Sequence, residues 1–264
     1  MKRAVRNRLV DLLLAAFDSP SKRDEMLWLG LYCEQSAAED HGNPSVADLM
    51  TAWEHRYPDA TMNSRTLRDL LGSLRGLFRI VRSEGRPNRR LAVSTAPSAV
   101  DLRIRLHPDL CACLSEACDR IRIYLSVLEQ LDGRQGALKG MEPLHRAVAQ
   151  AALCFNVGLF FEAHEHLEHH WLHLEDGATR RFVQGIIQIS VGFHHAMRGS
   201  YQGAVNQLGK GLAKMAEAPD DALGLDRDRF VREVESARQE MLARGRERMR
   251  QAALQELPRM HLLR

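Results

Sequence analysis

Phe160-Phe-Glu-Ala-His-Glu-His-Leu-Glu-His-His-Trp171 is the stretch on which the reading of this chain turns. Seven of the twelve histidines fall between positions 164 and 195, among carboxylates, in a protein otherwise rich in Arg, Leu and Ala. At about 100° per residue, Phe160, Phe161, His164, Leu167, Glu168, Trp171, Leu172 and Leu174 share one broad helical face. Glu162, His166, His169, His170 and His173 lie on the opposite face, with Glu165 near the border. The pattern predicts a helix that buries the first face. A buried imidazole or carboxylate is costly unless it is paired or bound to an ion, so His164 and Glu168 are expected to meet partners inside the protein. The second set has spacings of i, i+3, i+4 and i+7 that suit chelation, but an exposed helical face tolerates such residues without any role.

The next helical pattern, residues 180–198, is apolar nearly all round and is expected to pack on several sides. Gln184, Gln188 and His195 lie along one line of it, and His194 sits beside Val183, Ile187 and Ser190. Polar groups inside such a helix need hydrogen bonds, and the preceding helix is the nearest source. The candidate metal or polar cluster is therefore His164, Glu165, Glu168 and His194, supported by Glu162, Trp171, Gln184, Gln188 and His195. Carboxylate and imidazole together suit zinc, iron or manganese, and paired helices with inward-facing ligands build such sites. The zinc-protease spacing is absent, because Glu168 stands where its second histidine belongs. The di-iron Glu-x-x-His pattern is absent too. Cofactor and catalytic residues stay unassigned at this stage, and a purely structural network of His164, Glu168, Gln184 and His194 is the alternative.

At these residues the chain resembles the domain of unknown function 309 family, small all-helical proteins. The family pattern reads here as Asn156, Gly158, Phe160, Phe161, Glu162, His164, Glu165, Glu168 and Trp171, then Gln184, Gly185, Ile187, His194, Gly199 and Gly203. The resemblance covers roughly residues 147–216. It implies a compact helical fold with a polar cluster between central helices and brings no established activity. His166, His169, His170, His173 and His195 depart from the pattern, so any chemistry resting on them belongs to this chain.

At 264 residues the chain has room for two modest domains. Helical patterns are expected at residues 5–17, 22–39, 45–56 and 64–77. The period then changes: residues 78–83 and 90–94 alternate like strands, joined by a turn at residues 84–89. Three helices followed by a hairpin outline a winged helix. The expected architecture is mainly α, an N-terminal winged helix-turn-helix with a small β-hairpin followed by an all-α helical bundle domain. The expected segments are an N-terminal helix (1–21), the winged helix (22–96), a connecting helix and linker (97–140), the family-like domain (141–216) and a C-terminal amphipathic helix with a basic tail (217–264).

Net charge is only +3 overall, yet Arg65, Arg68, Arg75, Arg79, Arg82, Arg86, Arg89, Arg90, Arg103 and Arg105 are opposed locally by just Asp69, Glu84 and Asp101. A winged helix places its third helix in the major groove and its hairpin on the flanking backbone. DNA is thus the expected partner, with Arg65, Thr66, Arg68, Arg75, Arg86, Arg89 and Arg90 as the contact set. The functional expectation is a DNA-binding regulatory protein with a helical sensor or interaction domain. The alternatives are a metal-dependent enzyme and a structural or protein-interaction module.

Residues 109–131 form a helical pattern that packs within the chain or pairs with its twin in a homodimer. Residues 132–140 read as a flexible linker. No run of about 18 apolar residues occurs, so no membrane span is expected. Cys33, Cys111, Cys113, Cys118 and Cys154 lack zinc-ribbon spacing and read as packed thiols, which fits a reducing, cytoplasmic location. Metal binding or oxidation sensing at Cys111, Cys113 and Cys118 is the minor alternative.

Overall fold

The computed structural model describes residues 3–38, 44–57, 78–82, 102–106, 113–175, 177–216, 218–219, 221–255 and 257–263. It is mainly helical and divides into two compact units, Met1–Leu128 and Glu129–Arg264. Among the described residues no helix is long and apolar enough to cross a membrane.

In the first unit, α1 (Arg3–Asp18) buries Leu9, Leu13, Ala16 and Phe17, and packs on α2 (Pro20–Ala38), which contributes Met26, Leu29 and Tyr32. Helix α3 (Val46–Arg56) starts at Ser45, as its residue type predicts: the Ser45 hydroxyl accepts the Asp48 amide at 3.0 Å and donates to the Asp48 carboxylate at 2.6 Å. Trp53 of α3 stacks on Trp28 of α2 with ring centroids 5.7 Å apart, which fixes the pairing of these helices.

The sheet differs from expectation. Strand β1 (Phe78–Arg82) pairs antiparallel with β2 (Leu102–Leu106), in register Phe78 to Leu106 and Arg82 to Leu102, a partner that the pattern of alternation did not single out; the expected partner, residues 90–94, lies outside the described residues. Leu102-Arg-Ile-Arg-Leu106 supplies Ile104 to the core at 1% exposure, and that burial pins the register of the pair. The Ile104 amide also donates to the Pro44 carbonyl, tying β2 to the segment that enters α3. The expected boundary after residue 96 therefore falls between two paired strands. The third expected helix, residues 64–77, lies outside the described residues, as do residues 83–101.

Two thiols expected to be free are joined: Cys33 of α2 and Cys118 of α4 (Leu114–Asp132) form a disulfide with Cα atoms 5.5 Å apart. Both are buried. Helix packing brings residues 85 apart in sequence within bridging distance, which spacing cannot disclose. This pairing withdraws the argument from free thiols to a reducing compartment, and it takes Cys118 out of the minor metal reading.

Among the described residues, the second unit is built on five long helices: α5 (Pro143–Asn156), α6 (Phe160–Trp171), α7 (Ala178–Met197), α8 (Tyr201–Met215) and α9 (Arg227–Gln255). The segment expected as a flexible linker contains a helical turn, Gln135–Leu138, that buries Leu138. Helix α7 packs on α6, α8 and α9, in keeping with its apolar circumference. At the centre, Phe155 meets Phe160, Phe193 and Phe230 edge-on at centroid distances of 4.9, 5.8 and 5.4 Å.

Two glycines of the family-like pattern end helices in the left-handed region. Gly158 has φ of 80° and Gly199 has φ of 77°. After each, the next amide reaches back across the turn: Leu159 donates to the Cys154 carbonyl and Ser200 to the His195 carbonyl, both at 2.9 Å. The glycines themselves donate to Phe155 and Ala196, completing the paired bonds of a Schellman motif. At Gly211 the requirement is close approach instead, because a Cβ there would stand 2.8 Å from the Gly185 carbonyl oxygen and 2.6 Å from Ile189.

The chain beyond α9 folds back on the same unit. Asn156 donates to the Met260 carbonyl at 3.0 Å and accepts its amide at 2.8 Å, and Met260 is buried. The Glu233 carboxylate accepts the Arg259 amide at 2.8 Å, and Leu225 bridges to Leu262. Asn156 thus pairs with a segment 104 residues away.

Candidate metal centre

Helix α6 runs between the Gly158 turn and the turn at residues 172–173, and Trp171 fixes its far end. The Trp171 indole donates to the Arg180 carbonyl at 3.2 Å, the Arg180 guanidinium lies 4.1 Å over the indole ring, and that guanidinium donates back to the Trp171 carbonyl at 3.1 Å. These reciprocal bonds hold the α6–α7 connection. Trp171 therefore sets the geometry of the helix and donates nothing to a ligand set.

The face that α6 buries is not the expected one. Phe160, Glu162, Ala163, His166 and Leu167 are buried, His164 and Glu165 are half-buried, and Glu168 is exposed. The expected face was drawn toward Leu172 and Leu174, which lie beyond the helix end, and Leu172 is 61% exposed. Without those two, the apolar centre of the helix moves to Ala163 and Leu167. That rotation carries Glu162 and His166 inward and leaves His164 and Glu168 at the rim.

His166 enters the core because α5 offers it an acceptor. Its Nε2–H donates to the Gln150 amide oxygen at 2.9 Å, with both side chains buried. Burial, and then the nearby His170 and His169 rings, push the His166 pKa down to about 3, so it is a neutral imidazole at ordinary pH. From His166 a ladder of rings leads outward: His166 to His170 at 5.2 Å, His170 to His169 at 5.7 Å, and His169 to His173 at 5.9 Å between centroids. Gln150 was missed by pattern reading. Its only signal is a lone amide in the apolar run Ala147-Val-Ala-Gln-Ala-Ala-Leu-Cys-Phe155.

The rim is where donors converge. One ligand atom from each of His164, Glu165 and Glu168 lies within 4.8 Å of the others. His164 Nε2 stands 3.2 Å from Glu165 Oε1, while its Nδ1 is buried without a hydrogen-bond partner. The Phe161 ring covers this imidazole edge-on, with centroids 4.8 Å apart. An imidazole and two carboxylates, half sheltered by an aromatic ring, fit a borderline or hard divalent cation, with open positions left for water or a further ligand.

Not every expected member joins. The His194 ring rests against the same Phe161 ring at 5.2 Å, and His194 is outside the group of three. Gln188 accepts Lys214 Nζ at 3.1 Å across α7 and α8. Gln184 is half-buried on α7. His195 is packed where Gly203 leaves room, since a Cβ there would stand 2.9 Å from the imidazole. Glu162 is fully buried. The described residues thus bring three of the four expected donors together.

Of the expected nucleic-acid set, Arg65, Thr66, Arg68, Arg75, Arg86, Arg89 and Arg90 all lie outside the described residues. The β1–β2 register does bear on this surface: Arg79 is opposite Arg105 and Val81 opposite Arg103, so positions 79, 103 and 105 fall on one face of the ribbon.

Comparison with known proteins agrees with the helical part. Residues 148–207 match the family model described as Domain of unknown function (DUF309). A similar relative is an uncharacterized protein of Aquifex aeolicus (strain VF5), 27% identical over 89 residues, which are 34% of this chain and 27% of the relative. The chain thus matches about a quarter of that relative's length. No solved structure matches.

Proposed function

We propose that the second unit is a divalent-metal sensor module in which His164, Glu165 and Glu168 hold the cation. The convergence of these three donor groups within 4.8 Å on little more than one helical turn carries the reading. A cation there would give the half-buried His164 ring a charge partner and neutralise two adjacent carboxylates, which otherwise repel. Because Gly158 and the Trp171–Arg180 pair fix both ends of α6, metal binding at its rim acts on a helix that packs directly on α5 and α7. No catalytic step is assigned to the site.

The test is metal analysis and calorimetric titration with zinc and manganese. The protein is purified without a histidine tag and carries His169→Ala and His173→Ala, so that the exposed imidazoles stay silent. One bound ion per chain is expected, with His164→Ala or Glu168→Ala weakening it at least ten-fold. Absence of stoichiometric metal, or equal binding by both variants, overturns the proposal.

The β1–β2 register supports a second reading, that the first unit contacts nucleic acid and the metal unit regulates it. Three arginine positions on one ribbon face continue the arginine concentration of residues 65–90. Random duplex DNA is expected to bind with an affinity that falls steeply between 50 and 200 mM salt, as phosphate contacts require. Replacing Arg79, Arg103 and Arg105 together by alanine should shallow that salt dependence by about three contacts. An unchanged slope removes the ribbon from the interface.

A further inference from the structure

Away from the metal centre, the second unit holds a cavity of about 250 Å³ whose walls are Met141, Ala149, Leu223, Leu262 and Leu263. Its rim carries Glu142 and His145. The wall is built by chain brought together from three places: the start of α5, the turn Ala222–Gly224 and the returning segment after α9. His145 Nε2 lies 2.6 Å from Asp221 Oδ2, a pair 76 residues apart in sequence that no pattern announces. The Leu223 amide donates to Asp221 Oδ1 at 3.0 Å. That bond, and then the His145 contact, hold the Asp221 carboxyl below the usual carboxylate range.

Three observations mark the cavity as built for an occupant. The turn that lines it holds Ala222 and Leu223 at φ of 46° and 52°, a left-handed conformation that is strained for side-chain-bearing residues. Leu263 stands 60% exposed at its edge, an apolar side chain spent on a wall instead of the core. A mostly apolar cavity with a few convergent polar groups is the usual form of a small-molecule site.

We propose that this cavity binds a small primary amine with a short hydrocarbon body, its ammonium group held at the rim by Glu142 beside His145, whose ring Asp221 holds from behind. The volume sets the size: a cavity of about 150 Å³ admits benzene, so this one takes a chain of roughly six to ten heavy atoms. Charge sets the head group. Glu142 brings a carboxylate to the lining, and Asp221, which lies behind His145 and outside the lining, offsets any charge on that imidazole, so the rim favours a cation. The neighbouring guanidinium of Arg146 turns to the Met141 carbonyl at 3.3 Å and does not line the cavity. The walls contribute burial of the hydrocarbon.

The full chain, with excess chelator to silence the metal centre, is titrated calorimetrically with n-hexylamine, 1-hexanol and hexanoate at pH 7.5. The amine should bind at least ten-fold more tightly than the alcohol or the acid. Glu142→Gln combined with Asp221→Asn should bring the amine down to the level of the alcohol. Leu262→Trp, which fills the cavity, should abolish binding of all three, and Leu263→Trp at the exposed edge does the same if the first variant fails to fold. Saturation by none of the three, equal binding of alcohol and amine, amine preference retained in the double variant, or binding unaffected by the tryptophans each overturns the proposal.

Discussion

Replacing Phe155 by alanine is expected to cost the protein about 3–5 kcal/mol of unfolding free energy, the range for truncating a buried phenylalanine. Phe155 is 1% exposed and contacts all three of Phe160, Phe193 and Phe230. Its removal takes away one partner from each edge-on pair and leaves a void bounded by rings on α6, α7 and α9. Those rings belong to helices fixed by the Gly158 and Gly199 turns, so the space cannot close by a small shift. Urea denaturation followed by circular dichroism measures the loss as a lower midpoint at unchanged slope. A cost under about 1 kcal/mol would mean that the aromatic cluster is not the centre of this unit.

Acidification of metal-free protein is expected to destabilise the second unit through His166. The folded pKa is about 3 and the ordinary value 6.5, so between those values the unfolded chain binds a proton that the folded protein refuses. Stability is therefore complete above about pH 6.5 and falls as pH drops toward 3, by about 1.4 kcal/mol per unit and on the order of 4–5 kcal/mol in all. Carboxylates titrate in the same window, so the measurement is a difference between two proteins. His166→Leu with Gln150→Leu removes both members of the buried hydrogen bond and leaves no orphan behind. Unfolding free energies between pH 7 and 4 should show a shallower decline in the double variant. Parallel slopes for the two proteins would mean that His166 takes up its proton without leaving the core.

These two results probe different relations between the core and the site. Phe155 and His166 lie on the buried side of α5 and α6, whereas His164, Glu165 and Glu168 occupy the rim. On the proposed reading, a metal at the rim would be gained or lost while the aromatic centre persists. Loss of the His166–Gln150 bond, by contrast, acts on the packing between α5 and α6. The proposed sensor role depends on that division.

The sequence alone determined the local matters. The Gly158 and Gly199 stops, the Ser45 cap, the order of helices and the family-like motif could be read because each depends on a few adjacent residues and on backbone sterics. It also marked the stretch that carries the donors, since His164, Glu165 and Glu168 are one helical turn apart. Tertiary structure alone decided which face of α6 turns inward. A helical wheel counts apolar residues without knowing where the helix ends, so Leu172 and Leu174 weighed on a face they never joined. Gln150 then made burial of His166 tolerable from another helix. The same limit explains the strand partner of β1, the Cys33–Cys118 bridge and the His145–Asp221 pair. Each joins residues separated by some 20 to 85 positions, and only the packing of whole elements brings them into contact.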